Sequence, residues 1–446
     1  MHLLSMSSWM GFSVACLCTL PVSCATAGPL SSPARTGVRR SKWPPPSTVR
    51  WPKAARSACL MVLTNKRKTA VHRGHREDTE FTESSLCVLC EPLLVSVHRG
   101  ARNGSGRENM SIAWGIIGAG VIADRQVAPA IQRAENQRLV AVMGRNPEKL
   151  RAFAARHGAE RVHTNVPALL ADREVDAVYI ATPPHLHAEQ TIAAAQQGKH
   201  VLCEKPLALD TTQATQMIDA CRANGVRLMV CYYQRYNARH QQIKALLAAG
   251  VIGQVRAMRI NFSDCFPPQP GFWHHDPAIS GGGSLMDLGV HCIDLVRYLC
   301  GPVRQVTALV DTLAADSAVE DTATLLLKLA SGAQAVVTAH WSTANFTPDQ
   351  SNALELYGAA GTIFAAPIQA KDSTGVLRLV TAEGVCDLSN AEAGRRPHVA
   401  MLEDFATALK TGAPTPIPGE EGRAGLAVIE AAHRSARTGQ RVEVER

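Results

Sequence analysis

Two short stretches of this chain carry side chains suited to moving protons: Cys203-Glu204-Lys205-Pro206, and the run GGGSLMDLGVHCID from Gly281 to Asp294. A lysine ammonium can bear on a developing alkoxide, and the proline after it fixes the loop that presents it. In the second stretch Asp287 and His291 are four residues apart and Asp294 follows at seven, so on a helix all three share one face. An acid so placed can orient an imidazole and stabilise its protonated form, which is what a general base requires. Leu285, Leu288, Ile293, Leu295, Val296 and Leu299 supply the apolar side, and the pattern predicts a helix from Ser284. The same string also reads as a glycine turn opening a helix with a surface histidine, and at this level both readings stand.

The elements that must position these residues begin at Met110. From Ser111 short β-branched runs (IAWGIIG, RLVAVMG, DAVYIAT, HVLCE, RLMVCYY) alternate with amphipathic segments, which predicts a parallel sheet covered on both faces. The first strand runs into Gly118-Ala119-Gly120-Val121-Ile122-Ala123, a G-x-G-x-x-A turn. Gly118 suits the tight turn, Gly120 lets backbone approach a pyrophosphate, and Ala123 keeps the helix close. With a dinucleotide turn supplied there, the three glycines at 281–283 are not needed to cradle phosphate. At the end of the second strand, where an acid would take a ribose hydroxyl, the chain reads Met143-Gly144-Arg145-Asn146. Arg145 is suited to a 2′-phosphate, so NADP is expected, with NAD as the alternative.

Ligands of such sheets gather outside the carboxyl ends of the strands. The loops after the fourth and fifth strands therefore nominate Thr182, Pro183, His187, Glu204 and Lys205 as cofactor contacts, beside Gly118, Gly120, Val121, Ile122 and Arg145. His185 and His187 are one residue apart but have no evident third ligand, so a histidine capping the next helix is expected rather than a metal.

After Tyr236 the rhythm changes. Beyond the aromatic loop FPPQPGFWHHDP, strands follow one another without intervening helices (RQVTALVDTL, DTATLLLKLAS, AQAVVTAHWST, NALELYGAAGTIFAA), which predicts a mostly antiparallel sheet, and two helical segments close the chain. The domains expected are 110–232, a dinucleotide-binding α/β domain, and 233–446, a second α/β domain built on the antiparallel sheet.

The 446 residues are 46% hydrophobic, enough for two cores. The formal charge of +8 is uneven: residues 1–109 hold 15 of the 46 basic and 6 of the 38 acidic side chains, leaving a body close to neutral. Without a basic face, nucleic-acid binding is not expected. No stretch predicts a membrane span. The 13 cysteines are scattered, as buried free thiols in a reducing compartment would be, and Cys87-x-x-Cys90 lacks a second pair. Residues 1–109 are rich in Pro, Ser and Arg and predict no core. They are expected to be a disordered, cleaved or non-native extension. A cytoplasmic protein follows, the extension leaving a secreted or organellar form open.

Taken in order, GIIGAGVIA, IATPPHLHAE, VLCEKPLA, YYQRYNARHQQIKALLAAGVIG, FWHHDPAISGGGSLMDLGVHCIDLVRYLCG and LELYGAAGTI resemble the Gfo/Idh/MocA family of NAD(P)-dependent oxidoreductases over about residues 112 to 440. The resemblance implies an N-terminal Rossmann domain, a C-terminal domain with an open, mainly antiparallel sheet, and a homodimer or homotetramer. It implies catalytic roles for Lys205, Asp287 and His291, and substrate contacts by these three with Arg235 and Trp273. His291 or Lys205 would move the proton. His274 stands where many relatives carry arginine. The activity implied is oxidation of a secondary alcohol on a sugar, polyol or related cyclic compound, or the reverse reduction. Two alternatives share the fold: a lyase or glycosidase using tightly held NAD for transient oxidation, and a dinucleotide-sensing regulator without turnover.

Overall fold

The computed structural model describes residues 111–269, 271–314, 316–342, 352–369, 375–389 and 396–445. The expectations for residues 1–109, Cys87 and Cys90 included, lie outside them. Six strands form a parallel sheet: β1 (Ile112–Ile117), β2 (Gln137–Met143), β3 (Arg161–His163), β4 (Ala177–Ile180), β5 (His200–Cys203) and β6 (Leu228–Val230), in the order β3-β2-β1-β4-β5-β6. All six residues of β1 are buried, as expected for a strand covered on both faces. The order reverses at β1, the switch point where open α/β sheets bind ligands.

The register decides what meets at that edge. Ile117 pairs with Met143 and with Ile180, Ile180 with Cys203, and Cys203 with Val230. The strands therefore end level, and the loops starting at Gly118, Gly144, Ala181, Glu204 and Cys231 emerge on one rim.

The second sheet has nine strands, in the order β14-β13-β12-β11-β7-β10-β9-β8-β15. These are β7 (Val255–Ser263), β8 (Val303–Asp311), β9 (Thr322–Leu329), β10 (Gln334–His340), β11 (Leu354–Gly358), β12 (Gly361–Ala366), β13 (Val376–Thr381), β14 (Gly384–Asp387) and β15 (Val442–Glu443). Every pairing is antiparallel except β7 with β10. β9 alternates buried and open positions, Leu325, Leu327 and Leu329 inward and Leu326 outward, the signature of a sheet covered on one face. Helix Val290–Cys300 packs on the inner face against β7 and β10.

Two closing helices pack back onto the body of the chain, which their sequences did not reveal. Pro397–Thr411 returns to the parallel sheet and sets Phe405 against Trp114 with ring centroids 5.6 Å apart. Both side chains are fully buried, and each burial contributes roughly 1.5–3 kcal/mol. Gly419–Thr438 spans both halves, its Glu430 accepting from the Thr211 N–H and hydroxyl at 2.7 and 3.0 Å. Among the described residues no helix is long and apolar enough to cross a membrane.

One local expectation is corrected. The regular helix predicted from Ser284 begins instead as a π turn, Leu285–Gly289, and becomes α-helical only at Val290. Hydrogen bonds in a π turn reach one residue further, so residues four apart no longer stack. Asp287 therefore lies in the π turn, while His291 and Asp294, three residues apart, remain on the α-helix.

Candidate active site

Gly118 leaves β1 with φ at +102°, a conformation L side chains rarely adopt, and a Cβ there would lie 2.9 Å from the Ala181 carbonyl. Glycine is thus required by backbone and neighbour alike. Gly120 is the opposite case: nothing lies within 4 Å of the Cβ it lacks. This is open space beside the start of a helix whose first turn is again π, Ala123–Val127, and Val121 and Ile122 border it at 56% and 40% exposure. A small-residue turn with free space at a helix start fits a pyrophosphate. Arg145 is exposed one residue beyond Gly144, and Asn146 caps the next helix by accepting from the Glu148 and Lys149 N–H groups. Rim residues therefore fit a dinucleotide.

No histidine side chain caps the helix His187–Gln196, contrary to expectation. His187 is buried, and its two ring nitrogens lie 2.9 Å from the Pro206 carbonyl and 2.8 Å from that of Thr182. It straps the loop after β4 to the loop after β5, whose Lys205–Pro206 peptide is cis. The Thr182 hydroxyl donates to Gln190, and Pro183 starts the following turn.

Lys205 reaches across to the π turn. Its Nζ lies 2.7 Å from Oδ1 of Asp287 and 3.1 Å from the Asp287 carbonyl, in a pair that is 18% and 25% exposed. Burial works against both charges, but each partner outweighs it for the other: Lys205 is held above its ordinary value and Asp287 below. The carboxylate expected to orient His291 is spent on lysine instead, and no hydrogen bond joins Asp287 to His291. His291 is 3% exposed, edge-on to Tyr233 at 5.4 Å. Its Nδ1 is buried without a partner, whereas Nε2 is not sealed in. Burial and the nearby Lys205 ammonium drive its basicity well below the usual histidine range, against the pull of Asp287. The expected stabilised imidazolium is replaced by a neutral ring.

Arg235 and Asp294 are drawn elsewhere. Arg235 grips Asp294 at 2.6 Å and Glu421 at 2.6 Å, with Arg297 also on Glu421 at 3.4 Å. These ties anchor helix Val290–Cys300 to Gly419–Thr438, so the structure does not bring Arg235 among Lys205, Asp287 and His291. Trp273, in the turn Trp273–His275, stacks on His274 with centroids 3.6 Å apart.

Several residues escaped the sequence reading. Glu320 holds the start of the π turn: its Oε2 and Oε1 accept from the Gly283 and Leu285 N–H groups at 2.9 and 3.0 Å, and its carbonyl from Ser284 at 3.0 Å. A Cβ on Gly283 would sit 1.8 Å from that carbonyl, so glycine there is what lets the two segments meet. No spacing in the chain links positions 283 and 320. Behind Lys205, ligand atoms of Glu204, Cys231 and His398 lie within 4.8 Å of one another, types that could hold a metal. The Tyr179 hydroxyl already spans two of them, 2.5 Å from Glu204 and 3.0 Å from Cys231. Burial pushes Glu204 and Cys231 toward their protonated forms.

Comparison with known proteins agrees with this architecture. Residues 112–232 match the oxidoreductase family with an NAD-binding Rossmann fold, and residues 240–364 the GFO/IDH/MocA C-terminal domain. A 1,5-anhydro-D-fructose reductase of Ensifer adhaerens is 33% identical over 334 residues, 74% of this chain and 98% of the relative. A D-xylose 1-dehydrogenase (NADP+) of Haloferax volcanii is 31% identical, over 74% of this chain and 99% of its own. The crystal structure of the aldose-aldose oxidoreductase of Caulobacter crescentus, complexed with glycerol, superposes with a TM-score of 0.70 at 30% identity, covering 75% of this chain and 99% of that one. With a parallel dinucleotide sheet, a largely antiparallel second sheet and relatives matched over nearly their whole length, the chain belongs to the GFO/IDH/MocA family of NAD(P)-dependent oxidoreductases.

Proposed function

We propose that the protein is an NADP-preferring oxidoreductase that moves a hydride between nicotinamide and a secondary alcohol or carbonyl of a sugar, polyol or related cyclic compound. Residues 110–232 would hold the dinucleotide, and residues 233–446 would supply the substrate side and the contacts of a homodimer or homotetramer. The observation that carries the reading is the Lys205–Asp287 pair at 2.7 Å, on the rim that also bears Gly118 and Gly120. Similarity to a 1,5-anhydro-D-fructose reductase and a D-xylose 1-dehydrogenase supports the substrate class, and the exposed Arg145 supports NADP.

The dinucleotide, when bound, supplies the hydride acceptor or donor. The chain's own residues handle the oxygen and its proton. Lys205, kept charged by Asp287, hydrogen-bonds the substrate oxygen and stabilises negative charge as it develops. His291, held neutral, accepts the hydroxyl proton during oxidation and returns it during reduction. Val121 and Ile122 border the phosphate turn, and Thr182, Pro183, His187 and Glu204 shape the rim beside it.

The reading is tested by a panel of polyols and aldoses with NADP and NAD, followed by nicotinamide absorbance. Turnover with NADP above NAD is expected. Turnover only with NAD overturns the NADP assignment. A product formed without net reduced nucleotide, by enzyme that retains its cofactor through purification, would replace the dehydrogenase with a lyase or glycosidase.

A further inference from the structure

Three segments that converge behind Lys205 each bring one side chain able to ligate a metal. Glu204 follows β5 and Cys231 follows β6, and the Cys231 N–H donates to the Cys203 carbonyl at 2.8 Å, which ties the two strand ends together. His398 opens the helix Pro397–Thr411, which packs on the turn Tyr233–Tyr236, and its ring stacks on Tyr233 with centroids 4.8 Å apart. One ligand atom from each of Glu204, Cys231 and His398 lies within 4.8 Å of the other two. Ligands of a tetrahedral zinc ion, bound at about 2.0–2.3 Å, stand roughly 3.3–3.8 Å apart, so side-chain rotations that close about 1 Å bring all three to bonding distance. Thiolate, imidazole and carboxylate together suit Zn²⁺, whereas Mg²⁺ and Ca²⁺ take oxygen ligands. Cys231 is buried, but Glu204 and His398 are part-exposed, which leaves the ion an approach. The Glu204 carboxylate accepts from the Tyr179 hydroxyl at 2.5 Å and the Lys205 N–H at 3.1 Å, and its two oxygens have room for further partners.

We propose that Glu204, Cys231 and His398 form a site for a thiophilic divalent cation of the Zn²⁺ type, and that its occupancy inhibits the enzyme. The inhibitory role rests on the functional reading above; the site itself does not. On binding, the Cys231 thiol gives its proton to solvent and Sγ ligates as thiolate, while the Tyr179 hydroxyl keeps donating to Glu204. The ion is then held by the residue next to Lys205, and a second positive charge there disfavours the ammonium on which the reaction depends. It also draws on the His398 ring, whose stacking partner Tyr233 is edge-on to His291 at 5.4 Å.

The probe is Co²⁺, which takes zinc sites and shows a thiolate-to-metal charge-transfer band in the near ultraviolet when a cysteine ligates it. Full-length wild type, Cys231→Ser and His398→Gln are titrated with Co²⁺ in a non-thiol reductant. The wild type is expected to develop the band, Cys231→Ser to lose it, and His398→Gln to bind at least about tenfold more weakly. Zn²⁺ should displace the cobalt and Mg²⁺ should not. Zn²⁺ should also lower wild-type kcat at concentrations at least about tenfold below those needed in either variant, both of which keep turnover without added metal. No band in the wild type overturns the site. A band of equal strength in folded Cys231→Ser overturns it too, because the ion then sits on other cysteines, such as Cys87 and Cys90. Undiminished kcat in zinc-loaded wild type, or equal sensitivity of all three proteins, overturns the inhibitory role. If no compound is turned over, the functional reading falls, while the cobalt titration still decides the site.

Discussion

The ammonium of Lys205 lies 2.7 Å from the carboxylate of Asp287, although 82 residues separate them and His291 is Asp287's nearer polar neighbour along the chain. In the proposed function Asp287 acts through lysine. Asp287→Asn should reduce kcat by about 10- to 100-fold, the usual worth of a hydrogen bond to a charged group. The sign of the pH effect follows from the shift: the carboxylate raises Lys205 above its ordinary 10.5. The alkaline limb of wild-type kcat should lie above that value, and in Asp287→Asn it should move to lower pH. Any stability the pair contributes through Lys205 is fully present below the lysine's unfolded value and lost as pH rises through the folded one.

His291 titrates well below 6.5, because burial and Lys205 disfavour its charged form. The ring stays a proton acceptor in mild acid, so oxidation should show no acid limb centred near that value. A pH profile of kcat/KM checks this, and a limb near the ordinary histidine value would contradict it. His291→Ala should lower kcat by about 10²- to 10⁴-fold, the range for a lost general base.

Glu320 is a positioning residue, 8% exposed and bonded to the first N–H groups of the turn that carries Asp287. Glu320→Gln leaves one acceptor where two carboxylate oxygens now serve two N–H groups. Denaturant unfolding should show a loss of about 0.5–2 kcal/mol, typical of a missing helix cap. Because Asp287 would be less well held, kcat should fall while the dissociation constant of the dinucleotide is unchanged. Equal loss of dinucleotide affinity would point to general destabilisation.

Arg145 is exposed beyond β2, where no carboxylate precedes Glu148. Arg145→Ala should weaken NADP binding by about 10- to 100-fold and leave NAD within about twofold, as loss of a charged hydrogen bond to phosphate implies. Titration of each nucleotide against intrinsic fluorescence gives both numbers, and equal weakening of the two would contradict the assignment.

The Rossmann half was readable because its signals are local. Gly118 and Gly120 sit in a six-residue turn, and each strand announces itself by β-branched runs. The mainly antiparallel second sheet followed from strands without helices between them. Lys205, Asp287 and His291 were singled out by residue type and position, but their mutual geometry was not legible. The four-residue spacing assumed an α-helix, whereas Asp287 lies in the π turn Leu285–Gly289 and its carboxylate pairs with Lys205. Glu320 and the partners of Arg235 were invisible for a different reason: each contact joins residues 35 or more positions apart, and no periodicity encodes such a meeting. The role of His187 was likewise hidden, because only the folded loops reveal the two carbonyls that it joins.

The central claim is that Asp287 serves the reaction through Lys205, and a double-mutant cycle on kcat tests it most directly. Wild type, Lys205→Ala, Asp287→Asn and the double variant would be compared on one substrate that the wild type turns over. The predicted result is a large loss in Lys205→Ala and a double variant within about twofold of it, since Asp287 has nothing left to support. Unchanged activity in Lys205→Ala, or two losses that multiply in the double variant, would contradict the account.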